Sequence, residues 1–392
     1  MQETVVVSMA RTPFGKFGGA LKDFAAPELG ALAIKAAVSR ARLEGSLVDQ
    51  VIMGQVLQAG CGQIPSRQAT IKAGLPHDVP SETINKVCAS SLRAITMGDQ
   101  VIRAGDASII IAGGMESMSN APFLSKSHRW GQRMFNSELV DSMVYDGLWC
   151  FAYNRHMAVH GGVVAREYGV SREEQDAWAL RSQQLAAKAI KEGLLREEIA
   201  PVVISGRKGD VIFDTDESPR GDVTLENLTK LPPLFGKDNT VTAGNAPGTN
   251  DGASAVVLMS RSRAAELNLQ PLATIIGHAM VSADPVNIAT VPGLATNKLL
   301  RKAGLSVGEI DLIEANEAFA AVTLVSGKIT GWDADRVNVN GGAIAFGHPI
   351  GASGARIFMT LIGELRRRGL RYGVAAICSG AAQGDAVLVK CE

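Results

Sequence analysis

The sequence lacks an excess of charge of either sign and is poor in aromatic residues. Lys and Arg together number 39, Asp and Glu also number 39, and aromatic residues make up 5% of the chain. A neutral chain is poorly suited to nonspecific binding of nucleic acid or anionic membranes, although a local basic patch can still hold a phosphate. Aromatic platforms for base stacking are also scarce. We therefore expect neither nucleic acid nor a membrane among the partners.

Paired cysteines and long apolar runs are also missing. The five cysteines are widely spaced, with no CxxC pair and no Cys/His cluster of zinc spacing: Cys61, Cys88, Cys150, Cys378 and Cys391. This pattern favours a reducing compartment and predicts no metal site. No apolar stretch reaches the roughly 18 residues that span a bilayer. The N-terminal run 3–8 is typical of a strand rather than a signal peptide, and the C-terminus carries no targeting tripeptide. We expect a soluble, cytoplasmic protein.

Apolar residues and glycine are plentiful. Apolar residues make up 46% of the 392 residues, enough for a large core, and the length predicts roughly two to three domains. The 42 glycines are about 11% of the chain, against a usual value near 7%. They cluster in a few turns, which indicates tight backbone geometry at specific sites.

Apolar strand patterns alternate with helical patterns along the chain. The spacing predicts helices over 31–43 and 91–104, and strands over Gln50–Gly54 and 107–112. This alternation predicts an α/β fold in which both faces of the sheet are buried.

The second half repeats the order of the first. A helix over 296–303 and a strand over 311–314 lie 261 residues after their counterparts, and Cys88 and His348, each before a helix, are 260 apart. A helix over 352–368 and a strand over 373–378 complete the repeat. We interpret this as a duplicated α/β unit. The segment 120–244 lacks the rhythm, contains a charged helix over 171–192, and is predicted to be an insertion. The expected domains are 1–119 with 245–269, 120–244, and 270–392.

Cys88 and Cys378 are candidate reactive thiols. Cys88 precedes the helix over 91–104, where the helix dipole is expected to lower the pKa of a thiol. Cys378 ends a buried strand beside Gly380, whose backbone N–H can face an anion. Each cysteine, taken alone, is equally consistent with a buried, inert residue.

His348 and Asn316 are the other candidates. His348 lies in a glycine-rich strand–turn–helix segment, 338–354, which leaves room for a substrate close to the backbone. An incidental histidine in a structural turn is the alternative. Asn316 follows the strand over 311–314; its amide can hold a water or a carbonyl, or it can cap a helix.

The motifs together resemble the thiolase family, most closely its biosynthetic acetyl-CoA acetyltransferases. The resemblance spans the chain and is carried by six segments in order: 11–16 (RTPFGK), 113–117 (GGMES), 242–245 (TAGN), 316–320 (NEAFA), 347–354 (GHPIGASG) and Cys378. It implies a five-layered α-β-α-β-α fold of two similar halves, with a loop subdomain inserted in the first half. It also implies Claisen condensation of two acetyl-CoA to acetoacetyl-CoA, and the reverse thiolysis, through an acetyl-cysteine.

The resemblance implies roles for the candidates. Cys88 is the expected nucleophile, His348 the base that takes its proton, and Cys378 the second acid/base, at the methyl carbon. One oxyanion site is His348 with a water held by Asn316. The other is formed by the backbone N–H groups of Cys88 and Gly380.

The implied ligands are acetyl-CoA, acetoacetyl-CoA and CoA, all as substrates or products, with no cofactor and no metal. The expected CoA contacts are Leu148, His156, Met157, Arg220, Asn227, Phe235, Ala243, Gly244, Ala318 and Phe319. Arg220, alone, could equally be a solvated charge. The family also implies a homo-oligomer, here a tetramer with contacts in 120–144.

The sequence departs from the family pattern in four places. Ser91 replaces a glycine of the nucleophile motif, and Ser379, Ala381 and Ala382 interrupt a glycine run after Cys378. Both changes are expected to narrow the cavity near the reacting carbon. Pro247 and Asn227 replace serines of the CoA groove, and Pro247 is expected to weaken CoA binding.

Three other functions share part of this pattern. A degradative thiolase acting on longer 3-ketoacyl-CoA has the same catalytic set. A ketoacyl-carrier-protein synthase uses histidine in place of the second cysteine, which Cys378 argues against. A non-catalytic thiolase-like protein that only binds acyl-CoA is the third, and the intact Cys88, His348 and Cys378 argue against it.

Overall fold

A computed structural model describes residues 2–207 and 209–392; Met1 and Lys208 lie outside the described residues. Within these residues the chain forms sixteen strands and twelve α-helices. The strands are β1 Thr4–Arg11, β2 Gly15–Lys16, β3 Gln50–Gly54, β4 Ser81–Ile84, β5 Ile109–Ser117, β6 Phe123–Leu124, β7 Val140–Asp141, β8 Trp149–Cys150, β9 Arg155–His156, β10 Val202–Ile204, β11 Val211–Phe213, β12 Asn250–Ser260, β13 Ala273–Ser282, β14 Leu312–Ala315, β15 Tyr372–Ser379 and β16 Gln383–Lys390. The helices are α1 Ala26–Arg40, α2 Pro65–Lys72, α3 Ser90–Ala104, α4 Ser142–Gly147, α5 Met157–Glu167, α6 Arg172–Lys191, α7 Leu225–Thr229, α8 Arg261–Glu266, α9 Val291–Ala303, α10 Ala320–Thr330, α11 Ala343–Phe346 and α12 Ser353–Arg368.

The two halves of the main sheet share the topology of four strands, and the first half has a fifth, β4. In the first, the strand order is β1-β12-β5-β3-β4, and in the second it is β13-β16-β15-β14. In each half the first two pairings are antiparallel and the next is parallel. A short antiparallel contact between β1 and β13 joins the halves into one ten-stranded sheet, with β2 added at β12. The predicted duplication is thus present in the strand order.

The strands bury both faces, as their continuous apolar runs predict. In β5, Ile109 and Ile111 pack with α1, whereas Ile110 and Ala112 face α3 and α12. In β15, Ala375 and Ile377 face the same two helices from the other half. The layers are therefore α1 and α2, the first half-sheet, α3 and α12, the second half-sheet, and α9 and α10. The predicted five-layered α/β fold is confirmed.

Several element boundaries differ from the predictions. Helices α1 and α9 begin five residues earlier than expected. Each carries a proline in its first turn, where the missing N–H costs no helical bond. Strand β5 runs to Ser117 rather than stopping at residue 112. Gly113 lies inside this strand rather than in a turn at its end. Glycine is needed there because a Cβ would overlap Ser254 O on the neighbouring strand β12.

Segment 120–244 stays outside the main sheet. The strands described in it pair only among themselves, as β6-β7, β8-β9 and β10-β11. Its long helix α6 contacts α7, α10 and α11, and so covers the glycine-rich segment that leads to His348. The boundaries of the three expected domains remain a prediction. Among the described residues, no helix combines the length and apolarity needed to cross a membrane.

Candidate active site

Cys88 lies in a strained turn between β4 and α3. Val87, directly before it, has a φ of 46°, in the left-handed region that β-branched residues avoid. Side chains hold this conformation: Asn85 Oδ1 accepts the Val87 N–H at 2.9 Å, and Ser90 Oγ accepts the Lys86 N–H at 2.8 Å. Ser90 Oγ also donates to Val87 O at 2.6 Å. The turn therefore places Cys88 at a fixed position at the start of α3.

The thiol of Cys88 is buried, with 4% of the residue exposed. Burial raises the pKa of this thiol to about 12, and the nearby Glu116 carboxylate adds to the rise. The expectation that the helix N-terminus lowers the pKa is therefore wrong for the resting protein, because desolvation outweighs the dipole. The thiol stays protonated at neutral pH and needs a base to become a nucleophile.

Cys378 lies near the end of β15 and is fully buried. Burial raises the pKa of its thiol well above the ordinary value, and the charge of a Cys88 thiolate raises it further. The two sulfurs therefore lie close enough to interact through charge, although they are 290 positions apart in the sequence.

The hairpin turn after Cys378 presses against the turn of Cys88. A Cβ on Gly380 would lie 3.3 Å from Val87 Cγ2 and 3.5 Å from Met157 Sδ, so glycine allows the close approach. The next two residues, Ala381 and Ala382, have φ values of 60° and 49°. They keep a left-handed backbone without glycine, at a strain of about 1–2 kcal/mol each. The turn therefore keeps the left-handed backbone that favours glycine, although alanines stand at these two positions.

The hydrogen bonds of His348 identify its neutral form. Ser353 Oγ donates to Pro349 O at 2.9 Å and lies 2.6 Å from His348 Nδ1. A hydroxyl has one proton, so Nδ1 carries the N–H that Ser353 Oγ accepts. The lone pair is consequently on Nε2. Burial, followed by the charge of Arg356, lowers the pKa of His348 to about 3, so the imidazole is neutral at physiological pH.

Asn316 lies beside the free nitrogen of His348. Its Nδ2 is 3.5 Å from His348 Nε2, and its Oδ1 has no hydrogen-bonding partner among the described residues. The residue is fully buried between β14 and α10, and the cap residue of α10 is Phe319. Helix capping by Asn316, the alternative from the sequence, is therefore wrong. A buried amide oxygen without a partner is suited to hold a water.

Two buried glutamates position the site. Both lie in the family motifs, but the sequence did not predict a role for either of them. Glu317 accepts hydrogen bonds from Trp178 Nε1 at 2.9 Å, Ser182 Oγ at 2.8 Å, Asn338 Nδ2 at 3.0 Å and the Ile344 N–H at 3.1 Å. It thereby ties α6 to the segment that leads to His348. A carboxylate next to a buried strand is the signal that predicts such a hub.

Glu116 performs the same function on the other side of His348. It accepts the N–H groups of Val56, Leu57 and Gly351 at 3.1, 3.1 and 2.9 Å. Burial raises the pKa of Glu116 to about 7. The carboxylate therefore fixes the loop after β3 to the turn that follows His348.

Two of the expected CoA contacts line one cavity. A cavity of about 370 Å³ is lined by Arg220 and Ala243, with Lys16, Ser218 and Thr249. Arg220 is exposed, so its charge is available to an anion. Gly244 is buried against Leu228 and Leu231. Asn227 is exposed on α7 and is not among the residues that line this cavity.

The remaining expected contacts lie near one another, and some of them pack with Cys378. His156 stacks on Phe235 with the ring centres 4.2 Å apart, and Leu148 O accepts the Met157 N–H at 3.0 Å. Met157, Ala318 and Phe319 pack in one apolar cluster with Cys378. The structure thus places three of the expected contacts beside Cys378, and the binding of CoA by the set remains a prediction.

Comparison with known families identifies the family of the chain. The sequence model for "Thiolase, N-terminal domain" matches residues 4–262, and that for "Thiolase, C-terminal domain" matches residues 269–391. The chain belongs to the thiolase family. Curated thiolases of similar length support this assignment. The chain is 52% identical to an acetyl-CoA acetyltransferase of Pseudomonas aeruginosa over 99% of both proteins. It is 51% identical to one of Cupriavidus necator over 100% of both.

One departure from the usual thiolase sequence has a structural explanation. Ser91 Oγ accepts the Ala355 N–H at 2.9 Å, which joins the starts of α3 and α12. Its hydroxyl is therefore used between the two helices, and the narrowing of the cavity by Ser91 remains a prediction.

Proposed function

We propose that this thiolase is an acetyl-CoA C-acetyltransferase, which condenses two acetyl-CoA to acetoacetyl-CoA and CoA and catalyses the reverse thiolysis. The names of the full-length relatives support this reaction. The observation that supports it is that the turn of Cys88 packs on the hairpin of Cys378, while Asn316, whose N–H donates to Ala376 O at 2.9 Å, brings its side chain to 3.5 Å from His348 Nε2.

In the first half-reaction, His348 Nε2 takes the proton of Cys88, and the thiolate attacks the acetyl carbonyl. The N–H groups of Cys88 and Gly380 stabilise the tetrahedral oxyanion, where loss of one donor costs about 3–4 kcal/mol. The intermediate expels CoA, which takes the proton of Cys378. This leaves acetyl-Cys88, an imidazolium at His348 and a thiolate at Cys378.

In the second half-reaction, the Cys378 thiolate removes a proton from the methyl carbon of a second acetyl-CoA. Its high pKa makes it a strong base. The enolate oxygen accepts the Nε2–H of the His348 imidazolium and a hydrogen bond from a water held by Asn316. The enolate carbon attacks acetyl-Cys88, and the Cys88 thiolate leaves and recovers its proton from His348. All protons are then back in their starting positions.

The proposed CoA site follows from the same geometry. The exposed guanidinium of Arg220 is suited to bind a phosphate of CoA. A local cation is needed because the chain as a whole has no net charge to attract an anionic ligand. Leu148, His156, Met157 and Phe235 form the proposed wall along the pantetheine, with Ala243, Gly244, Asn227, Ala318 and Phe319 completing the contacts. The proposed reaction uses no cofactor and no metal. The three domains expected from the sequence, and a cytoplasmic location, remain part of the proposal.

We infer that the assembly is a homotetramer. Segment 120–144 exposes a set of large apolar side chains: Phe123 63%, Trp130 90%, Met134 71%, Phe135 92% and Leu139 62% exposed. Such a patch is typical of an interface between copies. Light scattering of Trp130→Ser/Phe135→Ser is expected to give a smaller oligomer; an unchanged mass would contradict this.

The decisive assay is thiolysis of a chain-length series of 3-ketoacyl-CoA by free CoA, with Cys88→Ala as the inactive control. We expect kcat/KM to be highest for acetoacetyl-CoA. A value that rises towards 3-ketodecanoyl-CoA would favour the degradative thiolase instead. A wild-type protein that binds acetoacetyl-CoA without cleaving it would favour the binding-only alternative.

A further inference from the structure

A buried ion pair joins the two segments that carry the reactive sulfurs. Lys86, two residues before Cys88, places its Nζ 2.7 Å from Asp385 Oδ2, and their side chains are 15% and 1% exposed. Asp385 lies on β16 directly opposite Ile377, the residue before Cys378. The pair therefore connects the turn of Cys88 to the hairpin of Cys378.

Lys86 is the cation in direct contact with the carboxylate of Asp385. Neither carboxylate oxygen of Asp385 has a hydrogen bond of good geometry in the part of the chain that the structure describes, so the 2.7 Å contact of Oδ2 with Lys86 Nζ is an ionic one. Burial raises the pKa of Asp385, and the charges of Lys86, Arg93 and His278 oppose that rise. Arg93 is on α3 and His278 on β13, so the carboxylate is surrounded by basic groups, of which Lys86 makes the direct contact.

A second, apolar contact accompanies the ion pair. Val87 packs over Gly380, where a Cβ would lie only 3.3 Å from Val87 Cγ2. The side-chain hydrogen bonds of the turn itself stay within it or run from Asn85 to Val56 O, at 3.4 Å. One ionic and one apolar contact thus set the turn against the hairpin.

The proposed oxyanion site needs one N–H from each of these segments, Cys88 from the turn and Gly380 from the hairpin. We propose that the Lys86–Asp385 ion pair is a positioning device that sets the spacing of these two donors. This inference rests on the proposed function, because the donors are assigned through the reaction.

The physical cost of a buried ion pair supports positioning over stability. Replacement of such pairs by well-packed apolar residues is often neutral or stabilising, so this pair is not explained by its contribution to folding. An apolar contact has a carbon–carbon distance of about 3.5–4.0 Å, roughly 1 Å longer than the 2.7 Å of the ion pair. A misplacement of about 1 Å in a catalytic group can lower the rate about 100-fold.

The test compares Lys86→Met with Arg103→Met. Arg103 also pairs with a 1%-exposed carboxylate, Asp99, with Nε 2.7 Å from Oδ1. It lies at the far end of α3, about 20 Å along the helix from Ser90. Both variants remove the cation closest to a buried aspartate, although Asp99 keeps His278 Nε2 at 3.5 Å from its Oδ2, and only Lys86→Met acts at the turn of Cys88. Stability is measured by urea unfolding, and kcat and KM by thiolysis of acetoacetyl-CoA.

We expect Lys86→Met to lower kcat about 10- to 100-fold, with KM changed less than about 3-fold. Arg103→Met is expected to keep kcat within about 2-fold of the wild-type value, at a similar loss of stability. Lys86→Arg, which keeps the cation, is expected to recover most of kcat. Equal kcat values for Lys86→Met and Arg103→Met would overturn the proposal. An inactive wild-type protein would instead contradict the proposed function.

The double variant Lys86→Met/Asp385→Leu covers the case in which Lys86→Met does not fold. It removes both charges and is expected to fold with stability near that of the wild type. Its kcat is expected to stay about 10-fold or more below the wild-type value, because an apolar contact does not restore the short distance. A wild-type kcat in this variant would show that the ion pair does not position the donors.

Discussion

Removal of the Ser353 hydroxyl tests how the imidazole is set up as a base. Ser353 Oγ accepts the Nδ1–H of His348 at 2.6 Å and thereby keeps the lone pair on Nε2. In Ser353→Ala, Nδ1–H loses its acceptor, which costs a buried donor about 1–3 kcal/mol. The tautomer with the proton on Nε2 then becomes more populated, because a buried Nδ1–H without an acceptor is unfavourable. A cost near 1.5–2 kcal/mol corresponds to a loss of roughly 10- to 30-fold in the competent base.

The matched control is Thr360→Ala, on the same helix α12. Thr360 is 3% exposed and donates to Glu198 Oε2 at 2.9 Å, so it loses a comparable buried hydrogen bond about 10 Å further along the helix. We expect kcat of thiolysis to fall about 10- to 30-fold in Ser353→Ala, with KM for CoA unchanged, and to stay near the wild-type value in Thr360→Ala. If the two variants have the same kcat, Ser353 supports only the fold, and the tautomer argument is refuted.

Three other perturbations test separate parts of the site. Because burial lowers the pKa of His348 to about 3, it is neutral at every pH above that value. Acetylation of Cys88 should therefore show no loss centred near the ordinary imidazole pKa of about 6.5, and such a loss in a pH profile would contradict the neutral base. Glu317→Gln places an amide NH₂ against two of the four hydrogen-bond donors, because each carboxylate oxygen accepts two of them. Urea unfolding should show a loss of about 3 kcal/mol; a loss below about 1 kcal/mol would mean that the hub is unimportant. Ala381→Gly relieves a left-handed φ of 60° at a half-buried position, and should raise the free energy of unfolding by about 0.5–1 kcal/mol. The same change at Ala382 should stabilise less, because its methyl group is buried, and equal gains would contradict that distinction.

The fold was predictable where local patterns repeat. The spacing of helices and strands around Cys88 recurs around His348, and the structure shows the same strand order in both halves. The predicted end of a strand was wrong where a glycine lies inside the strand and not in a turn. Gly113 was expected to end a strand, but it lies inside one. It is glycine because the neighbouring strand leaves no room for a side chain.

The convergence of the site could be expected from the family motifs, but its electrostatics could not. The start of α3 suggests an acidic thiol at Cys88, yet burial raises the pKa to about 12. Burial depends on contacts from both halves, which no local pattern records. The ion pair of Lys86 with Asp385 has the same origin, since its partners are far apart in the sequence and meet only when the hairpin packs on the turn.

The most direct test of the account is transfer of a labelled acetyl group. Wild-type protein, Cys88→Ala and Cys378→Ala are each incubated with labelled acetyl-CoA, and the site of labelling is found by peptide mass spectrometry. We expect one acetyl group on Cys88 in the wild type and in Cys378→Ala, and none in Cys88→Ala. Acetoacetyl-CoA should be formed only by the wild type. Condensation by Cys378→Ala at the wild-type rate, or an acetyl group on any residue other than Cys88 during turnover, would contradict it.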